Sequence, residues 1–261
     1  MRSSQATLKS VKPGKSKAIS AGEWEVRVAL AACYRLVHLF GWTDLVYTHI
    51  SARVPGKEEH FLLNPFGFAF DEVTASNLVR IDLDGNVVDG SGARIHKAGF
   101  VIHSAVHGAR SDAQCVIHTH TTAGMGVSML KDGLLPLSQH AQLFYGRLGY
   151  HDYEGLALEI DERARLVRDL GNHPAMILRN HGLLVAGSSV PEAFSIMHHL
   201  EMACRAQLAA MATGANLVFP PDEVRRKTAA LGFGSEGAPF GEVEWPAMLR
   251  RLDRIDRSYR T

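Results

Sequence analysis

Residues 115–124 read CVIHTHTTAG, and this stretch constrains the fold more than any other. Its first residues are apolar and partly β-branched, as in a buried strand. Alternate side chains of a strand share a face, so His118 and His120 would stand side by side while Ile117 and Thr119 look the other way. A strand apolar on both faces needs cover on both. Two imidazoles on one face at its end also invite a metal.

The rest of the chain supplies partners and cover. Val26, Leu30, Cys33, Val37 and Phe40 recur at helical spacing until Gly41, which predicts a first core-packed helix. Residues 45–54 alternate, 60–64 form a short apolar run and 64–67 (NPFG) have turn chemistry. VRIDLDGNVVDG reads as two strands joined at Asp84-Gly85. Residues 97–114 are helical in composition and lead into the His-x-His strand. A further helix is expected over 122–130 and an amphipathic one over 161–171. AMILRNHGLLVAG then gives two strands broken at residues 180–182. Ser189 and Glu192 are spaced as a capping box with Pro191 near the first turn, opening a long helix that reaches Gly214. The expected organisation is a disordered basic tail over 1–20, a single domain over 21–224, and a C-terminal extension over 225–261 that packs on the body or on a neighbouring subunit.

Charge narrows the partners. In 261 residues, 28 Lys and Arg face 27 Asp and Glu, and a net charge of +1 argues against nucleic acid or an acidic membrane surface. A small-molecule substrate or another subunit is the expected partner. Cys33, Cys115 and Cys204 are odd in number, far apart and in apolar settings, which fits reduced thiols and a cytoplasmic location. No apolar run approaches the roughly 18 residues of a membrane span. The first twenty residues are basic and Ser-rich, but Pro13-Gly14 would break a targeting helix there.

His181 raises the interest of the His-x-His pair. It sits in RNHGLL, at the break between two apolar strands, where a strand end can project a side chain into a shared cleft. Three neutral imidazoles with open positions form a catalytic pattern for zinc, or for iron, manganese or cobalt. The alternative is three unrelated polar strand-end histidines. His103 and His107 form an i, i+4 pair that is also metal-compatible, but no Glu lies between them and they read as hydrogen-bonded histidines of a half-buried face. His198 and His199 receive no role.

HKAGFVIHSAVHGARSDAQCVIHTHTTAG followed by RNHGLLVAGSSVPEAF resembles the class II aldolase and adducin family, and its adducin-like branch more than the sugar-phosphate aldolases. HFLLNPFGFAFDEVTASNLVRIDLDGNVVD and YHDYEG extend the resemblance over roughly residues 21–261. It implies an α/β/α three-layer fold with a central, largely antiparallel sheet, assembled as a cyclic tetramer with active sites between subunits. It also implies that His118, His120 and His181 bind a catalytic divalent metal, zinc first. Adducin heads have lost part of this triad, so its presence argues for a retained metal.

The chain departs from the aldolases where they carry Ser-Ser-Glu, the Glu being the acid/base. Those positions are Lys97, Ala98 and Gly99 here. The Gly-Asn of the first phosphate loop falls on Tyr47-Thr48 or Thr48-His49, while NPFG keeps the shape of a second phosphate loop through Gly67. A tyrosine proton donor of some aldolases falls near His140. Lys97 and Thr48 become candidate substrate contacts, and His140 a candidate proton donor.

Three readings follow. The first is a metal-dependent lyase that cleaves a C–C bond, aldolase-like or decarboxylase, in a small, oxygenated, non-phosphorylated acid. Decarboxylation asks least of the missing base, because loss of CO₂ leaves only a protonation, which an imidazole can supply. The second is a non-catalytic, adducin-like oligomeric binding module, and the third an Fe(II)-dependent oxygenase.

Overall fold

The computed structural model describes residues 19–56, 59–155, 161–232, 234–235 and 238–261. Seven strands form one sheet: β1 (His49–Arg53), β2 (His60–Leu63), β3 (Val79–Asp82), β4 (Cys115–Thr119), β5 (Leu148–His151), β6 (Ala175–Leu178) and β7 (Gly182–Gly187). Their order is β3-β2-β1-β4-β7-β6-β5, and every neighbouring pair is antiparallel except β5 with β6. The His-x-His strand is the middle strand of the seven. That explains its apolar character on both faces.

Helices cover both faces, giving the three-layer α/β/α architecture. On one side lie α1 (Ala21–Leu39), α3 (Thr122–Ser128) and α6 (Val190–Ala212), packed with Ile50, Ile117, Ile177 and Val185 from alternate strand positions. On the other lie α2 (Lys97–Ala109) and α5 (Glu162–Leu170), whose Ile102, Val106 and Leu166 meet Val116, Met176 and Leu184. The pleat of β4 thus divides Ile117 from Val116 and sends His118 to the α2 side.

Local chemistry fixes the ends of the covering helices. Ser20 accepts the N–H of Glu23 at the start of α1, and Ser189 accepts that of Glu192 at the start of α6. The Glu192 carboxylate in turn accepts the Ser188 N–H, so the box closes one residue earlier than its usual form. The expected hairpin at Asp84-Gly85 is short: Ile81 bridges Val87 antiparallel, the Asn86 carbonyl accepts the Asp82 N–H and the Arg80 carbonyl accepts the Val88 N–H, while the Asp82 carboxylate takes the N–H groups of Asp84 and Asn86 in the turn.

The short helix α4 (Gln139–Gln142) leans on α6, followed along the chain by α7 (Asp222–Ala230), a two-residue pairing of β8 (Gly234–Ser235) with β9 (Ala238–Pro239), and α8 (Trp245–Ile255). Tyr259 is fully buried, and the carbonyls of Tyr259 and Thr261 accept the N–H groups of Ala75 and Ser76. Among the described residues, no helix is long and apolar enough to cross a membrane.

Candidate metal centre

The antiparallel pairing of β4 with β7 sets Thr119 opposite Leu183, so the residue after β4 and the residue before β7 share one end of the sheet. That end holds His120 and His181. Asn180 sits in the left-handed region at φ 54°, which Asn tolerates better than most side chains. At Gly182 a Cβ would stand 2.3 Å from the Thr119 carbonyl oxygen, so only glycine lets β7 close on β4 here. Both residues flanking His181 thus serve to aim it. On the other side, Thr121 caps α3 by accepting the Gly124 N–H and donates to the buried carboxylate of Glu201, tying the end of the His-x-His segment to α6.

The three imidazoles converge. Ring centroids are 4.6 Å apart for His118 and His120, and 4.8 Å for each of these with His181. One ring nitrogen from each can be chosen so that all lie within 4.8 Å of one another. His118 Nδ1–H donates to the Leu183 carbonyl at 3.0 Å, and His120 Nδ1–H donates to Asp44 Oδ2 at 2.9 Å. Each ring therefore keeps Nε2 for the centre, and these two atoms stand 2.9 Å apart. Two lone pairs at that distance need a cation or a shared proton between them.

Burial, reinforced by the other two histidines, holds His118 far below the usual imidazole range, and burial with His120 and His151 pulls His181 down to about 4. Neutral imidazole is the form that ligates. Three neutral nitrogen donors, one of them oriented by a carboxylate, fit a borderline divalent cation. Replacing Asp44 with Ala is expected to weaken zinc binding about tenfold without changing its stoichiometry, as measured by competition with a chromophoric chelator.

A cavity of about 560 Å³ opens over the triad. Its walls include Tyr47, Thr48, His49, His96, Gly99 and Asn180, and among the described lining residues none is Lys or Arg. Thr48 has φ 67°, a strained value for a β-branched residue, and its buried hydroxyl has no hydrogen-bond partner. The ring of His49 stacks on His96 at 5.1 Å and 16°.

Beneath this wall lies a separate histidine network. His107 Nδ1–H donates to the Ala113 carbonyl, so Nε2 accepts from the Ser51 hydroxyl at 2.8 Å. Ser51 Oγ then accepts from His103 Nδ1–H at 2.6 Å. Burial pulls both histidines down to about 3. Within this network the His103 Nε2 is left without a partner. The i, i+4 pair on α2 is thus hydrogen-bonded and faces β1.

Of the other residues singled out in the sequence, Thr48 lines the cavity. Gly67 (φ 97°) lies in the loop after β2, next to Phe66, whose ring reaches His96 at 4.9 Å. His140 is not a lining residue: it stands on α4 with its ring 5.0 Å from that of His199 on α6. The side chain of Lys97 lies outside the described residues. No sequence pattern points to Asp44 or His96. Asp44, the partner of His120, is 76 residues away in the chain, and no local pattern marks it.

Comparison with known proteins matches residues 28–208 to the Class II Aldolase and Adducin N-terminal domain. The chain belongs to this family. An aldolase II superfamily protein from Pseudomonas syringae has 55% identity and a TM-score of 0.89, over 93% of this chain and 98% of that one. An L-fuculose 1-phosphate aldolase from Glaciozyma antarctica has 30% identity and a TM-score of 0.81, over 96% and 97%. Alpha-adducin of Rattus norvegicus is 43% identical over 260 residues, which are 94% of this chain but 35% of that protein. Class II aldolases work with a divalent metal, and the triad here has the donor set for one.

Proposed function

We propose that this protein is a metal-dependent lyase that cleaves a C–C bond, as an aldolase or a decarboxylase, in a small, oxygenated, non-phosphorylated acid. His118, His120 and His181 hold the metal, zinc first. The observation that carries this reading is the pair of committed Nδ1–H donors, which leaves two Nε2 atoms converging with His181 on a roomy cavity. A bound divalent cation would polarise a substrate carbonyl. The Thr48 hydroxyl is free to donate to a substrate oxygen. A phosphate dianion meets no fixed cation among the described lining residues, which favours an unphosphorylated substrate. The Lys97 ammonium is assigned to the substrate carboxylate and Gly67 to the outer loop.

His140, set apart from the cavity of its own chain, serves as proton donor only if subunits meet at the site, so the reading includes a homotetramer with intersubunit sites. Light scattering at micromolar protein is the check. A monomer removes His140 from the mechanism.

A second reading has one observation in its favour. The aldolase carboxylate position is Gly99, and alpha-adducin is among the relatives, so a binding module without catalysis is the competitor. Elemental analysis of protein purified without chelator, followed by a screen of β-keto acids and aldol substrates, separates the two. The lyase reading expects about one metal per chain and turnover that chelation abolishes. No metal after loading and desalting would put the binding module first.

A further inference from the structure

Gly99 looks like a simple loss of the acid/base, but the structure shows what fills its place. A Cβ built on Gly99 would lie 2.3 Å from His49 Nδ1 and 2.6 Å from both Cε1 and Cγ of the same ring. The imidazole of His49 therefore occupies the space into which any side chain at position 99 would have to grow. Both residues line the cavity together with His118 and His120. His49 is also opposite His118 in the β1–β4 ladder, and antiparallel partners project to the same side of the sheet.

The ring is held in place. His96 stacks on it at 5.1 Å, and His103 meets it edge to face at 6.2 Å. Its Nε2 is buried without a partner, a costly arrangement that native proteins concentrate at functional sites. The Nδ1 edge lies at Gly99, on the cavity wall. The described wall has no carboxylate, so this nitrogen is the basic atom nearest the place where the aldolase Glu would project.

We propose that His49 takes over the proton transfer that the family's carboxylate performs, with Gly99 as the residue that admits its ring. This rests on the lyase reading above. In the step assigned to it, the C–H bond next to a substrate carbonyl breaks, its electron pair stays with the substrate carbon and carbonyl, and the proton goes to His49 Nδ1. In the cleavage direction the substrate hydroxyl gives its proton to water as its carbon becomes a carbonyl, the electron pair of the broken C–C bond stays with the carbon next to the other carbonyl, and His49 Nδ1–H gives its proton to that carbon. Water, which takes the hydroxyl proton and reprotonates His49, is the sole co-reactant.

The test uses full-length protein loaded with zinc, with hydroxypyruvate and dihydroxyacetone as probes. Exchange of their C–H hydrogens in D₂O is followed by proton NMR, which reads the transfer without any need for the native substrate. His49→Gln is expected to slow exchange about 100-fold with zinc content unchanged. His49→Ala/Gly99→Glu is expected to exchange at least about tenfold faster than His49→Ala alone, because the carboxylate then has room. A second readout needs no metal. Gly99→Ala in the chelated protein is expected to lower the thermal midpoint by about 5 °C, and adding His49→Ala to restore most of it. Exchange by His49→Gln within about threefold of wild type would overturn the proposal while leaving the lyase reading intact. A Gly99→Ala protein with an unchanged midpoint would overturn the placement of the ring. Metal-loaded wild type that exchanges neither probe would overturn the proposal, while the screen of β-keto acids and aldol substrates decides the lyase reading separately.

Discussion

Removing the His181 imidazole in a His181→Ala variant should reduce zinc affinity on the order of 10³-fold, well beyond the loss expected for a residue that only orients a ligand. The variant should still fold. His181 is only partly buried and makes no hydrogen bond through its ring among those described, so its loss leaves neither a large cavity nor an orphaned donor. His118→Ala should lose the metal equally, with an added stability cost, because it frees a carbonyl at Leu183 within the sheet. His107→Ala should do the reverse. It leaves the Ser51 hydroxyl without an acceptor and the Ala113 carbonyl without its imidazole donor in a buried layer, costing about 2–3 kcal/mol, while zinc stays bound. Metal content after desalting, paired with urea unfolding of each chelated variant, checks all three. Zinc lost from His107→Ala and retained by His181→Ala would place the metal on the α2 pair.

This contrast also marks how far the sequence could be read. The period-2 spacing of His118 and His120 suffices to set both imidazoles on one face, because a strand has only two. The RNHG break puts His181 at a strand end, and its Asn and Gly turn out to be the left-handed residue and the close-approach residue that aim it. The three layers are implied by the resemblance to the family, and the helices on both faces of the sheet agree with it. What the sequence hides is tertiary. Asp44 sits in GWTDLVY with nothing local to mark it, and becomes the partner of His120 only when the loop before β1 folds over the end of β4. Gly99 reads as an empty place in a motif, and only packing reveals the His49 ring against it. His140 is a candidate only because a tyrosine proton donor of some aldolases falls near it, and a single chain carries it on α4, against α6.

Acid should destabilise this protein earlier than its carboxylates alone would require. His103 and His107 are fully buried in one network, and burial pulls both from the usual 6.5 to about 3. Between those values the unfolded chain binds protons that the native chain does not, so stability is retained above about pH 6.5 and falls as the pH drops toward 3. Each such histidine contributes about 1.4 kcal/mol per pH unit inside the window, so the pair gives a slope near 3 kcal/mol per unit. The depressed carboxylates Asp82, Asp112 and Asp169 act in the same direction, but only below their unfolded values near pH 4. The interval from pH 6 to 4.5 therefore isolates the histidines. Urea unfolding of chelated protein across that interval should show uptake of more than two protons, because burial lowers His49, His118 and His181 as well, and His107→Gln should remove about one of them. A flat profile would mean that the Ser51 network opens to solvent in the native state. Protonating either ring breaks the donor sequence from His103 through Ser51 to His107, and Ser51 lies two residues along β1 from His49. Acid thus acts on the support beneath the cavity wall as well as on the triad above it, and site geometry should fail before the α1–α6 core does.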